Sequence, residues 1–485
     1  MQKKVLVIGI DGGSWNVINP LIKKGGLENL NKLLRQGVRA NLESCLPSVT
    51  APAWKCYSTG KNPGKLGMYW WQNVDIKNKK FVLNTSLTVK EKEIWDLLSE
   101  NGKRSYVLNM PLTYPAKKIN GAMISGPIVA FPEKAFYPPE LQSLFPDYQF
   151  FPEANFRLEK EKLIQEIYTI TEKKVAAAKK FITRSDWDFF QFTFFMIDDL
   201  QHFFWKYQDK PHHPLQNTIQ NFWQFIDQKI GELLKLVPEP QQTYTILFSD
   251  HGFTSLKATF FINEWLRKNG YLSLRNDKLS HLLLKLGISA ERIGKMVKFL
   301  GLLEFAKKRM KNKNLKVISM KAGKSLNEQI VDWEKTKAVA TSEGPLYFNQ
   351  NILSSEEIQS LKKELSSKLQ KVKFHGKVIL HRIMEANQIY NGPCQNSPDF
   401  ILWPEEGYEI SGLTGQGQIL SDSQEGWSAT HKRNGIFLIT GPHINSTSRV
   451  LEKVNILDLA PTILHLLDIP LPKDLDGRIL KEIFS

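Results

Sequence analysis

Five acidic and histidine side chains fall where a chain of this texture can bring them together. Asp11 follows the apolar run "VLVIGI" (5–10), and Asp198 follows "FFQFTFFMI" (189–197), with His202 four residues later. Asp250 and His251 follow "TYTILFS" (243–249). Four residues is one helical turn, so Asp198 and His202 can face a single point. Asp and neutral His are ligand types for zinc and manganese. Carboxylates gathered at one rim repel each other unless cations neutralise them. Two metals about 4 Å apart can clamp both the attacking and the leaving oxygens of a phosphoryl displacement. Five ligands fall short of two sites, each of which takes three or four. Thr50 in "PSVTAPAW" is a sixth candidate, and His431 in "WSATHKRNGIFLITG" a seventh. Pro52 suits the start of a helix, which puts Thr50 at its mouth, near N–H groups that favour phosphate. Read alone, Thr50 is an ordinary N-cap.

The elements that must position these residues alternate. Apolar β-branched runs at 5–10, 104–111, 186–197 and 243–249 read as strands, with helical stretches at 27–37, 158–183 and 216–236 between them. That alternation predicts an α/β fold with a mostly parallel central sheet flanked by helices. In such sheets the binding crevice lies outside the carboxyl ends of the strands, where Asp11, Asp198 and Asp250 fall. After residue 252 the texture changes. Residues 335–392 read as a small β-α-β piece whose helix starts at "SSEE", with Ser354 or Ser355 as cap. Strand texture resumes at 399–404 and 435–441, and a closing helix spans 455–469. The expected organisation is a core over 1–266, an inserted cap unit over 267–392 and the rest of the core over 393–485.

The chain has 485 residues, 42% of them hydrophobic and 24% charged, which excludes a disordered or membrane-spanning class. Its three cysteines, Cys45, Cys56 and Cys394, are too few for a disulfide framework or a Cys-based zinc site. With "MQKKVLVIGIDGG" too short in apolar length for a signal peptide, a cytoplasmic location is expected. The net charge of +16 is concentrated: 271–325 holds 14 Lys+Arg against Asp277, Glu291 and Glu304. That argues against specific nucleic-acid binding by the whole chain. The basic segment carries Ile293, Val297, Leu300 and Leu303 at helical spacing. It reads as a solvated face, a dock for an anionic membrane surface, or a roof that attracts polyanions.

"VIGIDGGSW", "PSVTAPAW…STGKNPGKLGMY", "DDLQHFFW", "FSDHGF" and "THKRNGIFLITGP", in this order and spacing, resemble the alkaline phosphatase superfamily. Within it the chain looks most like the type I phosphodiesterase/nucleotide pyrophosphatase branch, among predicted phosphohydrolases and phosphomutases. The resemblance implies two divalent metal ions, zinc first and manganese second. It assigns Asp198, His202 and His431 to one metal and Asp11, Asp250 and His251 to the other. It makes Thr50 the nucleophile and a metal ligand, not Ser48. One departure stands out: an asparagine that holds a phosphate oxygen in nucleotide pyrophosphatases has no match where Trp70 and Trp71 stand, with Gln72 and Asn73 just beyond. Lys55, one turn into the helix, is a substitute cation, with a salt-bridged lysine as the plainer reading. Trp70 and Trp71, beside Tyr69, either stack on substrate or pack the sheet.

"CLPSV" has Val49 where a sulfatase signature needs arginine, and "GKNPGK" lacks the spacing of a phosphate-binding loop. His212 and His213 sit among prolines with no acid cluster nearby. The expected activity is therefore hydrolysis of a small-molecule phosphate ester, of phosphodiester or nucleotide pyrophosphate type, through a phospho-threonine. The alternatives are a phosphomutase, a phosphomonoesterase, and a non-catalytic binding protein on the same fold.

Overall fold

The computed structural model describes residues 3–154, 156, 158–275, 330–422, 426–444 and 450–484. The basic segment expected at 271–325 lies outside them beyond its first five residues, and with it the helical stripe from Ile293 to Leu303. Among the described residues no helix is long and apolar enough to cross a membrane.

The strands that build the site are β1 (Lys4–Ile10), β2 (Val38–Glu43), β3 (Ser105–Met110), β4 (Gly121–Ser125), β5 (Phe136–Tyr137), β6 (Phe189–Phe194), β7 (Thr243–Phe248) and β8 (Gly252–Ser255). They continue with β9 (Ala338–Ala340), β10 (Pro345–Phe348), β11 (Leu380–Glu385), β12 (Phe400–Pro404), β13 (Ala429–Lys432), β14 (Asn434–Thr440) and β15 (Val450–Asn455). A nine-stranded sheet runs β15-β2-β14-β7-β1-β6-β3-β4-β5. Its centre is parallel: β1 pairs with β6 and β7, and β3 with β6 and β4. Only β14 and β5 run against it. The mostly parallel sheet expected from the sequence is what forms. Because β14 is reversed, its start shares a rim with the ends of β1, β6 and β7.

β1 explains why a six-residue apolar run is needed. All seven of its residues are buried. Val5 and Val7 enter one hydrophobic cluster and Leu6, Ile8 and Ile10 the other, the two-residue period of a strand covered on both faces. One face is covered by α1 (Glu28–Gln36) and by the long helices Lys160–Ile182 and Thr218–Lys235. The other is covered by α2 (Thr50–Thr59), buried along its full length, and by the closing helix Leu459–Leu466. Gly37 closes α1, though not as a left-handed cap: its φ is −138°. A Cβ there would lie 2.2 Å from the Ile439 carbonyl oxygen, so close strand approach demands the glycine.

The second unit has its own four-stranded sheet, β9-β10-β12-β11, and a helix over Ser355–Leu369. Ser354 and Glu357 form a capping box at its start, as expected. The piece before this helix is a β-hairpin, since "SEGP" turns β9 back onto β10. The sheet also takes in β12, and its hydrophobic cluster draws in Ala258, Phe260, Tyr408 and Ile410. Apolar partners for a four-stranded sheet thus come from both sides of 267–392, beyond the boundaries expected from texture.

Candidate active site

The rim where β1, β6 and β7 end gathers the expected residues. Asp11 directly follows β1, and its N–H donates to the Phe194 carbonyl at 3.0 Å, tying it to the end of β6. Gly12 comes next with φ +69°, and its N–H donates to Asp250 Oδ1 at 3.2 Å. A Cβ at Gly12 would sit 2.7 Å from the Phe253 ring, so only glycine fits this left-handed turn. After β6 the chain enters a helix, Met196–Phe204, which carries Asp198 in its first turn and His202 in its last. His431 lies on β13, which pairs with β8 and sets His431 opposite Phe253.

Six of the seven residues form two adjoining groups. Asp11, Asp250 and His251 present ligand atoms within 4.8 Å of one another, as do Asp198, His202 and His431. In the first, His251 Nε2 lies 3.5 Å from Asp11 Oδ1 and 3.2 Å from Asp250 Oδ2. In the second, Asp198 lies 3.3 Å from His202 Nε2 and 3.4 Å from His431 Nε2. The two histidine Nε2 atoms are 3.1 Å apart. Asp198 Oδ1 also comes within 4.0 Å of His251, which joins the groups.

Thr50 lies beside both. Its Oγ1 is 3.3 Å from His251 Nε2 and 3.5 Å from Asp11 Oδ1. It is not the N-cap that a plain reading gives: Val49 occupies that position, and Thr50 is the first helical residue. Its hydroxyl therefore faces the acids. Pro52 falls at the third helical position.

The electrostatics show what the cluster lacks. Burial, then Asp250 and Asp198, pushes the Asp11 carboxyl well above its usual range. Burial and Asp198 do the same to Asp250. Burial alone would raise Asp198, but His202 and His431 hold it below the carboxylate range. Burial, then His431, pushes His251 down, and burial pushes His431 down too; burial would also lower His202, but Asp198 raises it. Buried oxygens of Asp198 and Asp250 have no hydrogen-bond donor. Carboxylates forced to keep protons, bare oxygens and converging imidazole nitrogens fit divalent cations.

Other side chains orient the ligands. Trp54, one turn into α2, donates Nε1–H to Asp11 Oδ2 at 3.0 Å. His202 Nδ1 donates to the Ala429 carbonyl at 2.9 Å, and its ring stacks on Trp427 at 3.6 Å. His251 Nδ1 faces the Gly252 carbonyl at 3.3 Å. These contacts fix which nitrogen points inward. Trp54 had a sequence signal, its place one turn after Thr50; Trp427 had none.

For Lys55 and Trp71 the structure shows the packing alternative of the two readings given above. Lys55 is fully buried and donates to Glu93 at 2.7 Å on the far side of α2, so its charge is spent inside the core. Trp70 and Trp71 belong to a loop pinned by Asn84, with Trp71 packed on the core. Tyr69 is buried against Tyr390. Asn73 is likewise occupied, donating to the Gly67 carbonyl at 2.5 Å. A cleft of about 250 Å³ opens beside His431 instead. Its floor is Leu46, Pro47 and Ser48, ahead of Thr50, and its far wall is Trp403 and His381 of the second unit.

The sequence model for type I phosphodiesterase/nucleotide pyrophosphatase matches residues 5–428, ending three residues before His431. A comparison with curated proteins gives no match. Among solved structures, murine ectonucleotide pyrophosphatase/phosphodiesterase 5, an inactive variant in complex with AMP, superposes with a TM-score of 0.58 at 14% identity, covering all of both chains. The human form gives 0.58 at 15% identity with the same coverage. The alkaline phosphatase PafA gives 0.61 at 14% identity, covering 100% of this chain and 99% of that one. These likenesses show the fold. With six of the seven site residues inside the matched span, the chain belongs to the type I phosphodiesterase/nucleotide pyrophosphatase family of phosphate-ester hydrolases.

Proposed function

We propose that this chain is a metal-dependent phosphodiesterase that works through a covalent intermediate on Thr50. One observation carries the reading: Thr50 Oγ1, at the first position of a buried helix, lies 3.3 Å from His251 and 3.5 Å from Asp11. Asp11, Asp250, His251 and Thr50 would hold one divalent cation, and Asp198, His202 and His431 the other. The mixed His and carboxylate donors favour zinc, with manganese second. When bound, the cations supply positive charge that lowers the pKa of a nearby hydroxyl and offsets the charge of a phosphate.

The chain's own residues do the rest. Thr50 gives up its proton, its Oγ1 bonds to phosphorus, and the P–O bond to the departing alcohol breaks, the alcohol leaving with a proton. The N–H groups of Thr50 and Ala51, at the positive end of α2, have no intrahelical acceptor and can hold a phosphoryl oxygen. Water then adds to phosphorus and restores Thr50, releasing a monoester. The murine relative was captured with AMP in an inactive threonine-to-alanine form, which supports a threonine role and a nucleoside-sized ester arm.

Acid quenching during turnover of bis(p-nitrophenyl) phosphate, followed by peptide mass spectrometry, tests this. The Thr50 peptide is expected to carry the phosphoryl group with its retained ester arm. A label on Ser48, or active enzyme that never labels, would refute the intermediate.

A further inference from the structure

Of the three histidines in the site, His431 alone lacks a backbone acceptor for its outer nitrogen. Its Nε2 faces Asp198 and His202, so Nδ1 points away from the cluster. That Nδ1 is buried and has no hydrogen-bond partner. The carboxylate of Glu343 faces it, with Oε1 at 3.7 Å. We infer that Glu343, on the β9–β10 turn of the second unit, is a positioning residue: its carboxylate, 3.7 Å away, is placed to close on the His431 Nδ1–H once Nε2 binds a cation, and so to hold Nε2 toward the metal.

The turn is built to aim this side chain. Glu343 adopts a left-handed φ of +64°, uncommon for a residue with a side chain. Its N–H donates to the Ile410 carbonyl at 2.8 Å. Gly344 follows at φ +108°, where a Cβ would meet the Leu402 carbonyl oxygen at 2.2 Å. Ser342 Oγ accepts from the Gly412 N–H at 3.0 Å. Three successive residues are thus pinned to β12 and to the segment 408–412, which holds the strand Tyr408–Ser411, and the one between them faces His431. Such strain persists where the surroundings over-determine the backbone. A carboxylate behind a metal-bound histidine fixes the tautomer and raises ligand basicity. The second unit thereby takes part in the metal centre as well as walling the cleft.

The inference rests on the proposed metal role of His431, so its test includes that residue. Full-length Glu343→Gln, Glu343→Ala and His431→Ala proteins are loaded with Zn²⁺ and titrated against a chromophoric chelator. Thermal melts of the metal-free forms report folding separately. His431→Ala should lose one equivalent of metal. Glu343→Gln, nearly isosteric, should bind at one of two sites about tenfold more weakly, and Glu343→Ala up to about a hundredfold. The other site should stay as in wild type, and the metal-free melts should show a cooperative transition in each variant. Wild-type affinity at both sites in Glu343→Gln overturns the inference. Two full equivalents in His431→Ala overturn the parent reading instead.

Discussion

The core rim and the second unit face the same cleft, and they hold their polar groups in opposite ways. At the rim, Asp11, Asp250 and His251 have no exposed surface, and each is tied to backbone by a hydrogen bond of its own or its neighbour's. Across the cleft, His381 pairs with Glu405 at 3.0 Å with both about half exposed, and Lys432 reaches Glu406 only at 3.9 Å. Exposed pairs of this kind contribute about 0–1 kcal/mol and rearrange easily. A buried ligand group cannot rearrange without losing its geometry. On the proposed reading, chemistry would reside in the core and selectivity in the second unit, with Glu343 crossing between them.

The largest effect should follow from the smallest change at the rim. Thr50→Ala is expected to cut turnover at least about a thousandfold while metal content stays near two equivalents, because it removes the attacking atom and keeps six other ligands. Retained activity in Thr50→Ala, with loss in Ser48→Ala, would move the nucleophile. Next come the ligands. Asp250→Asn or His251→Ala should empty one site, and His202→Ala the other. Each should also cost stability, since a bound cation at a hundred times its Kd contributes about 2.7 kcal/mol. Metal analysis with melts before and after chelation checks both, and active enzyme without metal would defeat the division of labour.

The rim should also respond to pH in a way the second unit's exposed pairs cannot. In metal-free protein Asp11 and Asp250 are raised by burial and by neighbouring carboxylates. Burial, then Asp198, lifts Asp199 to about 8, and burial, then Glu409, lifts Glu343 to about 8. The unfolded chain releases these protons near pH 4. From there to about pH 8 the folded state holds more protons, so stability falls as pH rises, by about 1.4 kcal/mol per pH unit for each proton held. His251 and His431, whose values are lowered, act with opposite sign only below about 6.5. Lys174, lowered to about 7 by burial, opposes the trend above that value. Between pH 6.5 and 8 chelated protein should therefore lose stability, whereas metal-loaded protein should hold or gain it as ligands free themselves for the cation. Parallel melting curves for the two forms would count against a cation-dependent rim.

How much of this was legible depended on sequence distance. Asp11, Asp198 and Asp250 could be read because each ends its own apolar run, and a parallel sheet puts such ends on one rim. His202 followed from helical spacing. His431 could be picked out only as a further histidine just ahead of an apolar run: it is placed by pairing with Phe253, far away in the chain, and no local pattern announces that ladder. For Lys55 a salt bridge was the plainer reading, but its partner could not be named, because Glu93 lies 38 residues on and only the fold joins them. Glu343 had no signal beyond a turn sequence, since its meaning comes from a unit docked on another. The aromatic wall was expected at Trp70 and Trp71 by nearness in sequence; the fold supplies Trp403 from the other side of the cleft.

The last and smallest effect concerns the ester itself. A monoester brings up to two charges and three free oxygens, and needs cationic or N–H donors beyond the two metals. Of the basic side chains around this cleft, Arg433 is paired with Glu43 at 2.9 Å, and His381 and Lys432 are held only loosely by Glu405 and Glu406, so among the described residues the cleft offers no fixed, unpaired cation. Lys55, the one cation near Thr50 in sequence, is spent on Glu93. The apolar lining of the cleft is Trp403, Leu402 and Pro404 beside Leu46 and Pro47. Such a wall suits the apolar or planar second arm of a diester. Bis(p-nitrophenyl) phosphate should therefore exceed p-nitrophenyl phosphate in kcat/KM by about tenfold, a difference of about 1.4 kcal/mol in transition-state binding. Trp403→Ala should narrow that ratio severalfold through KM on the diester, with kcat and metal content kept, because it removes contact area and no ligand. A monoester preference at saturating metal would instead mark a phosphatase or mutase, and would mean the second unit brings donors to the phosphate after all.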